Sequence, residues 1–412
     1  MTEVQPAMPR EETSDLDLYE NDPFFKWIPD AEWTACIGRQ GYEENYLDGY
    51  IEAAIELVDA IIEKRMFAKR DTLVLPILYN ARHAIELSLK FIFYRLIDKG
   101  LIPDRGRKRD HDIGGYWADL HASAIGDRTL MQAIEELKPY IDSLSQIDSD
   151  GQELRYHRNR DNDPSLQDYA LANLRFIQHS LRRLEELLSS LKNRTVGLID
   201  EHVTGSHTKR CSRSDLMEIA RLMPQRDQWS SEEFDQQKAI VKERFGLGNR
   251  QFSLALDRIQ EVREMRALIG IESELQHLTD DVVVWSVEQW RRLHPVREQD
   301  ENHPGIDAFD PSIVDAWAED AAVRKEVVEA IEGRLSREAV ADLDAMFYLG
   351  RDRVFPEYYE EMIARNLRKL STAAETQAAI LHLMDKTNFL QCLQGAARKL
   401  GRLTLAGRLE AV

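Results

Sequence analysis

The residues best suited to chemistry fall in three places. Between 154 and 166 the chain reads LRYHRNRDNDPSL, which puts Arg155, His157, Arg158 and Arg160 within six positions. An imidazole hemmed by guanidinium groups has its charged form disfavoured, so His157 is expected to stay neutral near pH 7 and act as a base. Arg155, Arg158 and Arg160 would then hold phosphate oxygens. The stretch YNARHAIELSLK at 79–90 supplies a second group. Tyr79, His83, Glu86 and Lys90 recur on one helical face, and Arg82 can reach Glu86 one turn on. Third, HDIGGYWADL at 111–120 opens with His111 and Asp112, and Asp112 stands where it can cap a short helix. Just before it, Arg105, Arg107, Lys108 and Arg109 form a basic run able to track phosphates. Each group also has a plain structural reading: a solvated strip with a surface ion pair, a hinge whose arginines pair with Asp161 or Asp163, and an exposed basic loop.

At these three places the sequence resembles the HEPN superfamily, the helical-bundle domains of prokaryotic toxins, defence systems and RNA-cleaving enzymes, over residues 46–192. The resemblance implies an endoribonuclease that needs no metal or other cofactor. It also implies a homodimer whose cleft is lined by an arginine and a histidine a few residues apart. Here one residue separates Arg155 from His157, three separate Arg175 from His179, and five separate Arg105 from His111. RNA cleavage without a metal requires a base for the 2′-hydroxyl, a cation for the phosphorane charge and an acid for the leaving oxygen. The expected catalytic set is His157, Arg155, His83 and Glu86. The expected RNA contacts are Arg82, Arg105, Arg107, Lys108, Arg109, Arg158 and Arg160. Two other readings stay open. One is a non-catalytic helical adaptor. The other is an HD-type metal-dependent phosphohydrolase using His83, His111 and Asp112.

The elements that must carry these groups are helices. Ile51, Ile55, Val58, Ile62 and Met66 recur at helical spacing, as do Leu78, Ile85, Leu89 and Ile92. Helices are predicted near 46–68, 72–98, 128–147 and 165–192, which as four amphipathic rods make an antiparallel four-helix bundle, HEPN-like in outline. Residues 1–45 form an acidic arm with an aromatic cluster of Phe24, Phe25, Trp27 and Trp33. A boundary is expected at 195–213, then a helical middle domain over 193–305, a second linker near 298–320 and a helical C-terminal domain over 306–412. The C-terminal helices suit partner recognition or oligomerisation. FGLGNRQFSLALDRI at 245–259 has the outline of a DNA-reading helix pair, although its apolar residues also fit a core. Trp285, Trp290 and Trp317 read as core or interface anchors. No run alternates as a strand would, so the chain is all-α.

Composition narrows the classes. The 412 residues carry 54 Lys+Arg against 73 Asp+Glu, a formal charge of -19, so any nucleic acid must meet a local basic patch. Cys36, Cys211 and Cys392 are far apart in sequence, which offers neither a disulfide framework nor a zinc knuckle. No apolar run approaches the ~20 residues of a membrane helix, and the acidic start is unlike a signal peptide, so a cytoplasmic protein is expected. Neither GxxxxGK[ST] nor a GxGxxG after a strand is present.

Overall fold

The structure, a computed structural model, describes residue 24 and residues 32–38, 41–159, 162–295 and 312–412. Among them every regular element longer than an isolated bridge is a helix, so the chain is all-α. No helix among the described residues is long and apolar enough to cross a membrane. Phe25, Trp27 and most of the acidic arm lie outside the described residues, as does much of the expected 298–320 linker; Phe24 and Trp33 are exposed.

The apolar side chains gather into three cores. The first belongs to α1 (Glu43–Glu63), α2 (Arg70–Asp98), α3 (Ile113–Ala122), α4 (Arg128–Glu136), α5 (Lys138–Ile147) and α6 (Leu174–Val203). Here α1, α2 and α6 pack on one another, burying Ile51, Ile55 and Val58 against Ile77, Ile85 and Leu89 and against Leu184, Leu188 and Leu191. The expected four rods are therefore three, of 21, 29 and 30 residues, with short α3, α4 and α5 packed beside them. The expected 128–147 rod is broken because Pro139 has no N–H to return to the preceding turn, and the helix restarts after Leu137. The fourth rod begins later than its apolar stripe suggests. Asn173 caps it by accepting from the Arg175 and Phe176 amides, which leaves Leu171 outside and 99% exposed.

The same helix runs through the expected boundary at 195. Leu198 belongs to the first core, and Arg194 grips Asp127 on one side and Glu201 on the other, both within 2.8 Å. The second core spans Cys211 to Ile269 on α7 (Arg213–Leu222), α8 (Glu232–Arg244), α9 (Asn249–Glu261) and α10 (Arg263–Leu268). Phe252, Leu256 and Ile259 are buried in it, so the 245–259 helix pair has spent its apolar residues on packing.

The third core starts at Leu275, not near 306. It takes α11 (Asp280–Leu293) together with α12 (Ser312–Arg334), α13 (Arg337–Arg351), α14 (Tyr359–Lys369), α15 (Ala373–Met384), α16 (Phe389–Lys399) and α17 (Leu403–Glu410). Trp290 is buried there and donates its indole N–H to the Lys386 carbonyl at 2.8 Å, Trp285 packs alongside, and the Trp317 side chain lies outside the described residues.

Candidate functional site

Arg82 lies midway along α2 with its guanidinium turned into the protein, where it is 1% exposed. Charge at that depth demands partners, and it has them on three segments. Nη1 donates to Glu86 Oε2 at 3.0 Å, and Nε donates to the Asp148 carbonyl at 2.7 Å. Nη2 donates to the carbonyls of His111 at 2.7 Å and Ser149 at 3.2 Å. The loop before α3 and the turn after α5 are thereby clamped to α2 from 29 and 66 positions away. The buried Asp148 carboxylate finishes the turn by accepting from the Glu153 and Leu154 amides at 3.1 and 3.3 Å. Gly151 follows from this geometry, since its φ is +80° and a Cβ would stand 3.1 Å from Arg82 Nη1.

Glu86, also buried, carries the link from this clamp to solvent. Its Oε1 accepts from Lys90 Nζ at 2.7 Å and is hydrogen-bonded to His111 Nδ1 at 2.8 Å. Burial pushes the Glu86 carboxyl up, but the hydrogen bonds from Lys90 and His111 outweigh it and hold the group below the usual glutamate value. A carboxylate can only accept, so His111 Nδ1 is the donor and the lone pair of the neutral ring sits on Nε2. The His111 side chain is 54% exposed, and Nε2 has no partner among the described residues. The result is a buried anion orienting an outward-facing imidazole.

His83, on the same face of α2, meets Tyr50 edge-on at 4.4 Å and stacks on Tyr79 at 5.6 Å. Its burial lowers its pKa; Glu86 opposes this, while Arg82, Lys90 and Arg155 add to it. The net effect keeps the ring neutral. Arg155 reaches this face: its Nε donates to the Gly151 carbonyl, and its guanidinium lies 5.7 Å from the Tyr79 ring and 5.5 Å from the exposed Tyr156 ring.

Several expected site residues lie elsewhere. The His157 side chain is exposed and makes no hydrogen bond or ring contact to the 82–86 turn among the described residues. The segment folds back through Ser165 N to the His157 carbonyl at 2.9 Å and a bridge between Arg158 and Pro164. Arg82, expected to contact RNA, is consumed by the clamp. Arg107 is also turned inward. Its side chain is 14% exposed, lies 4.2 Å from the Tyr116 ring centre, and pairs with Asp119 at 2.7 Å as well as with Asp110 and Asp112. Arg105 and Lys108 are exposed and unpaired among the described residues, and the exposed Arg109 lies over Tyr94 at 4.9 Å. Arg158 is exposed and donates to the Asn162 carbonyl at 2.6 Å, while Arg160 lies outside the described residues. Arg175 and His179 are exposed on α6.

Comparison with known proteins gives no matching family model, no similar curated protein and no similar solved structure.

His111 was visible in sequence only as half of an HD pair. Asp112 serves instead as the helix cap, accepting from the Gly115 amide at 2.9 Å, and no group of three or more metal-binding side chains gathers among the described residues. The partner that gives His111 its orientation is Glu86, 25 positions earlier, and no local pattern announces that contact.

Proposed function

We propose that the N-terminal helical unit binds single-stranded RNA and cleaves it without a metal, in the manner that its HEPN resemblance implies, with His111 as the proton-transfer group. The observation that carries this reading is the 2.8 Å contact between buried Glu86 and His111 Nδ1, which leaves Nε2 open to solvent. That nitrogen would accept the 2′-hydroxyl proton as the 2′-oxygen attacks phosphorus, and the imidazolium so formed, or water, would protonate the departing 5′-oxygen as its bond to phosphorus breaks. Lys90, which also binds Glu86, and Arg155 supply positive charge on the same face for the phosphorane oxygens. The exposed Tyr156 ring, with Arg155 close beside it, suits a base stacked on the aromatic face with a cation at hand for its phosphate. Arg105, Lys108 and Arg109 would extend the phosphate track beside His111, offsetting locally the chain's acidic balance. Defence or toxin-type biology, a homodimer and a cytoplasmic setting belong to the same proposal.

A second reading draws on the clamp itself. The Arg82 network would hold three segments together in a non-catalytic adaptor just as well, leaving His111 as a surface histidine. One experiment separates the two: cleavage of a labelled single-stranded RNA by the purified chain in EDTA, alongside His111→Ala, Glu86→Gln and Arg155→Ala. The nuclease reading requires wild-type cleavage that His111→Ala abolishes. Wild-type inactivity, or cleavage unchanged in His111→Ala, removes His111 from the chemistry.

A further inference from the structure

The second and third cores meet over a cavity of about 740 Å³ that the RNA face does not use. One wall is α7, the other is the chain from Arg353 to Pro356, and Glu201 at the end of α6 reaches its edge. The charges around it do not balance locally. Each acidic group is already occupied: Glu201 by Arg194, Glu218 by Arg128 and Arg244, and Glu264 by Arg213. Arg213 is itself consumed by Glu264, Glu357 and Ser206, and its guanidinium lies on the Phe355 ring at 5.1 Å.

Two cations are left over. Arg221 and Arg353 are exposed at the cavity and have no ion pair or hydrogen-bond partner among the described residues. Arg353 is not on a loose loop. Lys399 donates to the carbonyls of Leu349, Asp352 and Val354 at 2.7, 2.9 and 3.2 Å, which fixes the turn that presents it. Met217, Val354 and Phe355 give the same cavity an apolar side.

Two free guanidinium groups lining one cavity with an aromatic side chain fit a ligand with a phosphate at one end and a planar ring at the other. The volume falls within the usual range of roughly 300–1,000 Å³ for small-molecule sites. From the unpaired Arg221 and Arg353, the Phe355 wall and the anchored turn, we infer that this cavity binds a nucleoside phosphate. The phosphate lies between Arg221 and Arg353, and the base lies against Phe355 and Met217. Because its contacts come from α7 and from the third core, occupancy ties the two cores together and raises the unfolding temperature of the whole chain.

The test is calorimetric titration of the full-length protein with AMP, adenosine and inorganic phosphate, backed by thermal unfolding with and without AMP. AMP should bind and raise the melting temperature. Adenosine and phosphate should each bind at least about tenfold more weakly, because each lacks one of the two contacts. Arg353→Ala and Arg221→Ala, at exposed positions, should weaken AMP by about tenfold each while melting like wild type without ligand. Tyr156→Ala, on the RNA face, should leave AMP affinity unchanged. The inference falls if AMP does not bind, if phosphate binds as tightly as AMP, if both arginine variants bind AMP like wild type, or if Tyr156→Ala removes the binding.

Discussion

Two buried carboxylates, Glu86 in the first core and Asp342 in the third, solve the same problem in opposite ways. Glu86 is compensated by Arg82, Lys90 and His111, and the last of these reaches solvent. Asp342 is sealed at 0% exposure, accepts from the Tyr359 hydroxyl and from the His277 amide at 2.7 Å, and makes no ion pair among the described residues. Burial drives the Asp342 carboxyl above the usual aspartate value despite these hydrogen bonds, whereas Glu86 is held below the usual glutamate value. A buried acid with a route to the surface can steer a proton-transfer group. One without such a route holds helices in register, as Asp342 does between α13, α14 and the chain at His277.

The largest expected effect tests whether that route matters. His111→Ala should lower RNA cleavage by about 10²–10⁴-fold, the usual range for a lost general base, while costing only about 1 kcal/mol in stability, because buried Glu86 keeps Arg82 and Lys90 as donors. An equal loss in Tyr359→Phe would erase the distinction between the two carboxylates. Next comes the clamp: Arg82→Ala leaves Glu86 and three carbonyls short of a donor, and should cost about 3–5 kcal/mol in urea unfolding. A loss under about 1 kcal/mol would mean that water enters and replaces the guanidinium. Tyr359→Phe should cost about 1–3 kcal/mol by leaving an Asp342 oxygen unpaired, with RNA cleavage untouched.

The smallest effects are in pH dependence, and their signs differ. The lowered Glu86 pKa means that the unfolded chain binds the proton more tightly, so its contribution is present above 4.5 and is lost as pH falls through the folded value. For Asp342 the folded chain binds the proton more tightly, so stability falls as pH rises from 3.8 toward the raised folded value. Glu86→Gln and Asp342→Asn should therefore tilt the acid limb of a stability-versus-pH curve in opposite directions. His83, lowered chiefly by burial, adds a decline as pH drops below 6.5, which His83→Gln should flatten.

Much of the fold was legible in the sequence, and the site only in part. Periodicity located α1 and α2, and the Asp112 cap and the Arg82–Glu86 pair follow from local spacing. What misled was local chemistry with a tertiary answer. Pro139 split an otherwise continuous apolar stripe, and the polar run from 195 was kept helical by Arg194 reaching back to Asp127, 67 positions away. Glu86 is expected in the site on a strip that could equally be solvated, and spacing alone cannot show that it is buried, because the loop bearing His111 folds over it. Arg155 lies against the Tyr79 ring of α2, while His157, two positions on, is carried outward by the 157–165 turn.

The clamp on Arg82 also sets an order of assembly. The carbonyls of Asp148 and Ser149 leave the ribosome long after α2 does, so a nascent chain exposes the guanidinium until the turn after α5 emerges. Until then Arg82 holds the loop bearing His111 and the strip bearing Glu86 without its bonds to the turn after α5. A fragment ending before 148 would contain Glu86 and His111 and still lack two of the carbonyls that fix Arg82 beside them.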